Sequence, residues 1–209
     1  ARNSTVARCS AGEYGGVVYA DLSGAVSLIG STVTECSAGD LQRATAASPV
    51  RYGGQYGGVV YMRENSGAVS LINTTVTCCS AGESGGVVYA EGSGAVSLIG
   101  SNVSSCSAGN HGGVVYAYQN SGAVSIIGTT VSSCSAGNNG GVVTARYSDA
   151  VSITSSDVSG CSAYFGGVVM AGLDYSGAVS ITSSTLANCS ANFEGGVVFA
   201  RASGAVSIT

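Results

Sequence analysis

Seven cysteines occupy one place in a repeated unit: Cys9, Cys36, Cys79, Cys106, Cys134, Cys161 and Cys189. Thiols in such a row can cross-link or simply pack. Strands stacked in a solenoid lie about 4.8 Å apart, and parallel side chains keep their Cβ atoms about as far apart. A disulfide needs Cβ atoms closer, at about 3.5–4.5 Å. The row is therefore expected to be a ladder of buried thiols, each behaving as a small hydrophobe. Cys78, beside Cys79, falls outside the register and is expected at the surface.

Other reactive side chains are few and scattered. Glu13 and Glu83 share one turn position and Asp21 and Glu91 another, so no carboxylate cluster forms on a strand face, as polysaccharide hydrolysis or elimination would need. The one histidine, His111, sits in the turn Asn110–Gly112 without a neighbouring nucleophile. The calcium-binding glycine–aspartate nonapeptide is absent, and a chain without Lys holds no phosphate-binding P-loop. These absences predict a protein that is not an enzyme and carries no cofactor or metal. Four N-x-S/T acceptors for N-glycosylation occur, at Asn3, Asn73, Asn102 and Asn188.

Composition narrows the class further. Charged residues are 9% of the 209, the net charge is −4 and all seven basic residues are Arg, which excludes a nucleic-acid footprint. A single Pro among 33 Gly excludes collagen and polyproline. No apolar run reaches the length of about 18 residues that a membrane-spanning helix needs. The chain opens at Ala1 without a signal peptide, as expected of a processed product or an excised segment.

The elements that position these residues follow from the repeat. Apart from one gap between Cys36 and Cys79, the cysteines are 27 or 28 residues apart. A fixed period of this size marks a solenoid. Each unit holds three β-rich runs, as in Ser31–Ala38, Gly15–Ala20 and Gly24–Gly30, separated by Gly, Ser and Asn. Val, Ile, Thr and Ser dominate and no helical apolar stripe appears. The expected fold is all-β: a right-handed parallel β-helix with three strands per coil and about seven coils of about 27 residues. A lone coil buries too few large groups, at about 1.5–3 kcal/mol each, to offset ordering its backbone at about 1 kcal/mol per residue. Coils are stable only when stacked.

Alternation assigns the faces. Val26 and Leu28 point inward and Ile29 outward, and the Ile29 position becomes Thr154, Thr182 and Thr209 in later coils. Val18 and Ala20 point inward. Val17 and Tyr19 are expected outside, so that Val17, Tyr19, Tyr61, Tyr89, Tyr116 and Phe199 would belong to an exposed interaction stripe. Val33 and Cys36 both face in, and their spacing demands a bend between them. The whole chain, 1–209, reads as one uncapped solenoid, a segment of a longer array or a stacking protomer. Residues 40–56, with Pro49, form an inserted loop.

The pairing of V-x-x-C-S-A with G-G-V-V-Y resembles the repeat of polymorphic outer-membrane proteins. In that family F-x-x-N and G-G-A-[ILV] motifs build a right-handed parallel β-helix that works in surface adhesion. Val6, Val33, Val76, Val103, Val131, Val158 and Leu186 stand at the Phe position, and the cysteines at the Asn position. The resemblance covers all seven units and implies the same fold and an adhesive role at a cell surface.

The expected function is thus an extracellular structural or adhesive rod or filament, associating laterally or end to end with itself, or with glycans or surface proteins. A carbohydrate-active or carbohydrate-binding β-helix is the alternative. Ice binding is the third reading, because Thr32-Val33-Thr34 and Thr75-Val76-Thr77 form two T-x-T rungs, although the other coils break the pattern.

Overall fold

A computed structural model describes residues 1–39 and 55–209. The chain is a parallel β-solenoid of about seven coils, and the described residues contain no helix. Four seven-stranded parallel sheets run along it. In the second coil they contribute Thr32–Thr34, Ser37–Ala38, Val60–Arg63 and Val69–Ile72, and each later coil supplies the equivalents. Registry is residue on repeat: Val33 pairs with Val76, Tyr61 with Tyr89 and Leu98 with Ile126.

The first run is therefore two strands, not one. The residue before each cysteine turns left-handed: Arg8, Glu35, Cys78, Ser105, Ser133, Gly160 and Asn188 all have φ between 53° and 61°. That single residue breaks the strand and turns the chain into a second sheet, while Val33 and Cys36 both stay inside. The thiol secures the corner, since Cys79 Sγ–H donates to the Thr77 carbonyl at 3.4 Å and Cys106 to that of Ser104 at 3.4 Å. A hydroxyl does the same at the corner that follows the fourth sheet. There the one Thr129 Oγ1 proton is shared between Ile127 O (3.0 Å) and Leu98 O (3.2 Å), and Oγ1 accepts from the Ser101 N–H (3.2 Å). Buried polar atoms are thereby satisfied by backbone that the corner would otherwise leave unpaired.

The glycine pair opening the third sheet has two separate causes. Gly112 has φ +61°, a conformation that glycine adopts without a Cβ penalty. Gly113 lies so close to the next coil that a Cβ would sit 2.2 Å from Gly141 O.

After the pair, two successive N–H groups bond one carbonyl: Val87 N and Val88 N both reach Val114 O, at 3.0 and 2.9 Å. Every coil but the last repeats this arrangement, which interrupts alternation in the manner of a bulge. Both valines then face inward. This corrects the expectation for Val17: its equivalents Val59, Val87, Val114, Val142 and Val168 are fully buried in the core, and Val17 itself is half-buried against it. The core is completed by the Val33, Cys36 and Leu28 registers. In the fourth sheet alternation is kept, with Ile126 buried and Ile127 exposed. The inserted loop falls largely outside the described residues; Gln55 and Tyr56 are its described end.

Candidate functional site

The tyrosines lie outside the third sheet, as alternation requires, but only Tyr19, in the first coil, is exposed. Tyr61, Tyr89 and Tyr116 are only 4–5% accessible and form a second cluster, separate from the core. The turn before each glycine pair runs beside them in a ladder of its own, through Tyr14, Tyr56, Ser84, His111, Asn139 and Phe165. Ring centroids are 5.0 Å apart for Tyr61–Tyr89, 4.5 Å for Tyr56–Tyr89 and 5.3 Å for His111–Tyr116. Tyr19, half exposed, stacks on Tyr61 at 5.3 Å. The row changes to Thr144 and Met170, both buried, and then to half-buried Phe199 against Phe165 at 5.1 Å. An exposed apolar stripe does not exist here, because covering side chains come from turns that strand alternation does not describe.

Burial sets the chemistry of this cluster. It pushes the Tyr116 hydroxyl up to about 12, and it raises Tyr56, Tyr61 and Tyr89 further, with Glu83 adding at Tyr56 and Glu91 at Tyr61 and Tyr89. Tyr61 Oη donates to Glu91 Oε2 at 3.3 Å. Burial lowers His111, Arg146 adds to the fall and Glu83 opposes it. The Asn139 amide nitrogen, a donor, lies 2.9 Å from His111 Nδ1, a geometry in which Nδ1 accepts.

Beyond the third strand, the turns of four successive coils line a groove of about 820 Å³. Arg63, Glu64 and Asn65 form one end, Glu91 and Gly92 follow, then Tyr118, Gln119 and Asn120, and Arg146 and Tyr147 close the other end. Glu64, Asn65, Gly92, Gln119, Asn120 and Tyr147 all have φ between 42° and 60°. Five of these six carry a Cβ, so the turn, like the cysteine corner, is held left-handed at a conformational cost. Backbone bonds hold the turns in a stack, as from Asn65 N to Gly92 O (2.7 Å) and from Gln119 N to Arg146 O (3.2 Å). The Arg146 guanidinium lies 5.9 Å from the Tyr118 ring centre and 5.7 Å from that of Tyr147. Tyr118 stacks in turn on Tyr116 at 5.6 Å. Gln119 Nε2 donates to Tyr118 Oη at 3.1 Å, and Arg63 pairs with Glu64 at 2.9 Å. A smaller groove of about 340 Å³ opens near Phe165, Phe193 and Phe199.

The other sequence-predicted residues lie elsewhere. Cys36, Cys79, Cys106, Cys134 and Cys161 are fully buried, Cys9 and Cys189 half-buried and Cys78 exposed, all unbridged. Burial raises Cys36 to about 11. Hydrogen bonds between neighbouring thiols push Cys106 and Cys161 up and pull Cys79 and Cys134 down. With apolar walls around them, burial favours the neutral form of these five central thiols. Asn3, Asn73, Asn102 and Asn188 are all exposed, Asn102 on a strand and the others at left-handed turns. No group of three or more His, Cys, Asp or Glu among the described residues is placed to hold a metal. The described residues contain no helix long and apolar enough to cross a membrane.

Sequence reasoning missed the groove. Its residues belong to turns of variable length, about one repeat apart, and only stacking brings them together. The signal available was the concentration of Arg, Glu, Gln, Asn and Tyr after the second run, the one that opens with Gly-Gly. No family model, curated protein or solved structure matches the chain.

Proposed function

We propose that the protein is a non-catalytic adhesive rod that works at a cell surface or outside the cell, and that its recognition surface is the turn edge beside the third sheet. One observation carries this reading. Side chains capable of directional recognition are gathered in the groove between Arg63 and Tyr147, whereas the inward faces repeat Val, Cys, Leu and Ile. The adhesive role also draws on the resemblance to the polymorphic outer-membrane-protein repeat. The coil is taken as right-handed on the general rule for parallel crossovers. Glu91 is engaged by the Tyr61 phenol, which suits a structural better than a catalytic carboxylate. Self-association, lateral or end to end, would use what remains exposed on the strand faces, such as Ile99 and Ile127 of the fourth sheet.

The test is adhesion of beads coated with the intact protein to whole cells and to immobilised extracellular matrix. Arg63→Ala combined with Tyr147→Ala should abolish attachment. Ser97→Arg combined with Ser125→Arg, on the outer face of the fourth sheet, should leave it intact. Attachment lost only with the second pair would place recognition on the strand faces and overturn the reading.

A further inference from the structure

We infer that the groove binds a linear, neutral polysaccharide laid along the solenoid axis, with one sugar ring per coil; this rests on the adhesive reading above. The first argument is periodicity. A pyranose advances its chain by a distance close to the strand spacing of about 4.8 Å, so groups on successive coils meet successive rings. Four coils contribute to the groove, giving it a length of about 14 Å by the same spacing. Its volume of about 820 Å³ lies within the range of about 300–1,000 Å³ usual for ligand sites.

The second argument is chemistry. Planar, two-pronged groups suit the vicinal hydroxyls of a sugar: guanidinium at Arg146, carboxylate at Glu91, amides at Asn65, Gln119 and Asn120. Tyr147, 38% exposed, offers an amphipathic ring for the C–H face of a pyranose. Arg146, Glu91 and Gln119 are held before any ligand arrives. Arg146 lies beside two rings, Gln119 is bonded to Tyr118, and the turns are laddered through their backbones. Little side-chain freedom remains to be lost on binding.

The third argument is exclusion. Arg63 and Arg146 are balanced by Glu64 and Glu91, so the lining has no net charge to draw a polyanion. A peptide adding as a strand needs unpaired backbone, and here successive turns already bond one another. The groove is open and polar, which does not suit an apolar small molecule.

The experiment is calorimetric titration of the full chain with neutral gluco-, manno-, galacto- and xylo-oligosaccharides of increasing length, with polygalacturonate and a sulfated glycan as anionic comparators. At least one neutral series should bind, with affinity rising with length until the groove is filled and then levelling. Tyr147→Ala and Gln119→Ala should each weaken it about tenfold or more, as central contacts do, and Ser97→Ala should not. Circular dichroism of each variant separates lost binding from lost folding. Absence of binding by every neutral series, preference for the anionic polymers, or indifference to the groove variants would each overturn the inference. If beads still adhere through the turn edge while no neutral saccharide binds, the ligand is wrong and the adhesive reading stands. If adhesion does not depend on the edge either, both fall.

Discussion

Two rows of side chains run along the solenoid on opposite sides of its wall. The cysteine row inside holds one residue type in all seven coils, and its five central members are fully buried. The tyrosine row outside the third sheet keeps its identity through Tyr19, Tyr61, Tyr89 and Tyr116, then passes to Thr144, Met170 and Phe199. Both rows are stacked at the same spacing, so periodicity alone does not explain the difference. Inside, each of the five central thiols meets its like above and below and bonds a corner carbonyl, so a change of volume disturbs two neighbours and a turn. Outside, the covering side chains come from turns free to change with the row. Where Thr144 replaces tyrosine, its hydroxyl bonds Asn139 O at 2.7 Å and accepts from Gly112 N at 3.1 Å. Repetition is enforced by the interior, and variety is tolerated at the edge.

The largest effect expected from this contrast is in thiol reactivity. Cys78 should react with a maleimide at once, whereas Cys36, Cys79, Cys106, Cys134 and Cys161 should be protected about a thousandfold or more, since only unfolding exposes them. Mass spectrometry of the labelled native protein checks this, and rapid native labelling of several row members would remove the buried ladder. The next contrast is between two neighbours in the fourth sheet. Ile126→Ala should destabilise by about 2–5 kcal/mol, and Ile127→Ala, on the solvent side, by no more than about 0.5 kcal/mol. Denaturant unfolding measures both, and equal costs would contradict the assignment of faces.

The tyrosine cluster gives a smaller effect that depends on pH. Its hydroxyls titrate higher folded than the ordinary 10.0, Tyr116 at about 12. Raised values favour the folded state through the neutral form. That contribution is complete below about pH 10 and is lost as pH climbs toward 12 and beyond. Phenolate absorbance of Tyr56, Tyr61, Tyr89 and Tyr116 should therefore appear together with loss of the β-sheet circular dichroism signal. Phe substitutions at these four positions assign the signal, and their ionisation near 10.0 in an intact fold would refute the burial.

Much of the architecture was legible. The 27- or 28-residue period implied stacked coils, and the alternation of Leu28 with Ile29 gave the faces of the fourth sheet. Cys36, held inside three residues after Val33, announced a bend. What stayed hidden depended on backbone detail or on distant turns. The shared carbonyl that turns both Val87 and Val88 inward leaves no trace in a V-V pair. The burial of Tyr89 depends on Tyr56, which belongs to the turn of the preceding coil. The left-handed residue that splits the first run into two sheets is Arg8, Glu35, Cys78, Ser105, Ser133, Gly160 or Asn188, and no residue type links them. The groove escaped for a related reason: Glu91, Tyr118 and Arg146 share one repeat position, but its residue type changes from coil to coil and only stacking makes a surface of it.

The central claim is that the edge can be rewritten while the fold stays unchanged. Arg146 and Tyr147 stand one strand end away from a natural alternative, because Glu91 and Gly92 fill the same turn two coils earlier, with φ 54° at Gly92 and 51° at Tyr147. The most direct measurement is denaturant unfolding of the double variant Arg146→Glu, Tyr147→Gly. The midpoint should stay within the equivalent of about 0.5 kcal/mol of the parent, as for surface changes in general, or rise slightly as the tyrosine leaves its left-handed backbone. A fall of about 3 kcal/mol or more, the size of a core cavity, would show that the edge helps to hold the solenoid together, and the division between interior and edge would fail.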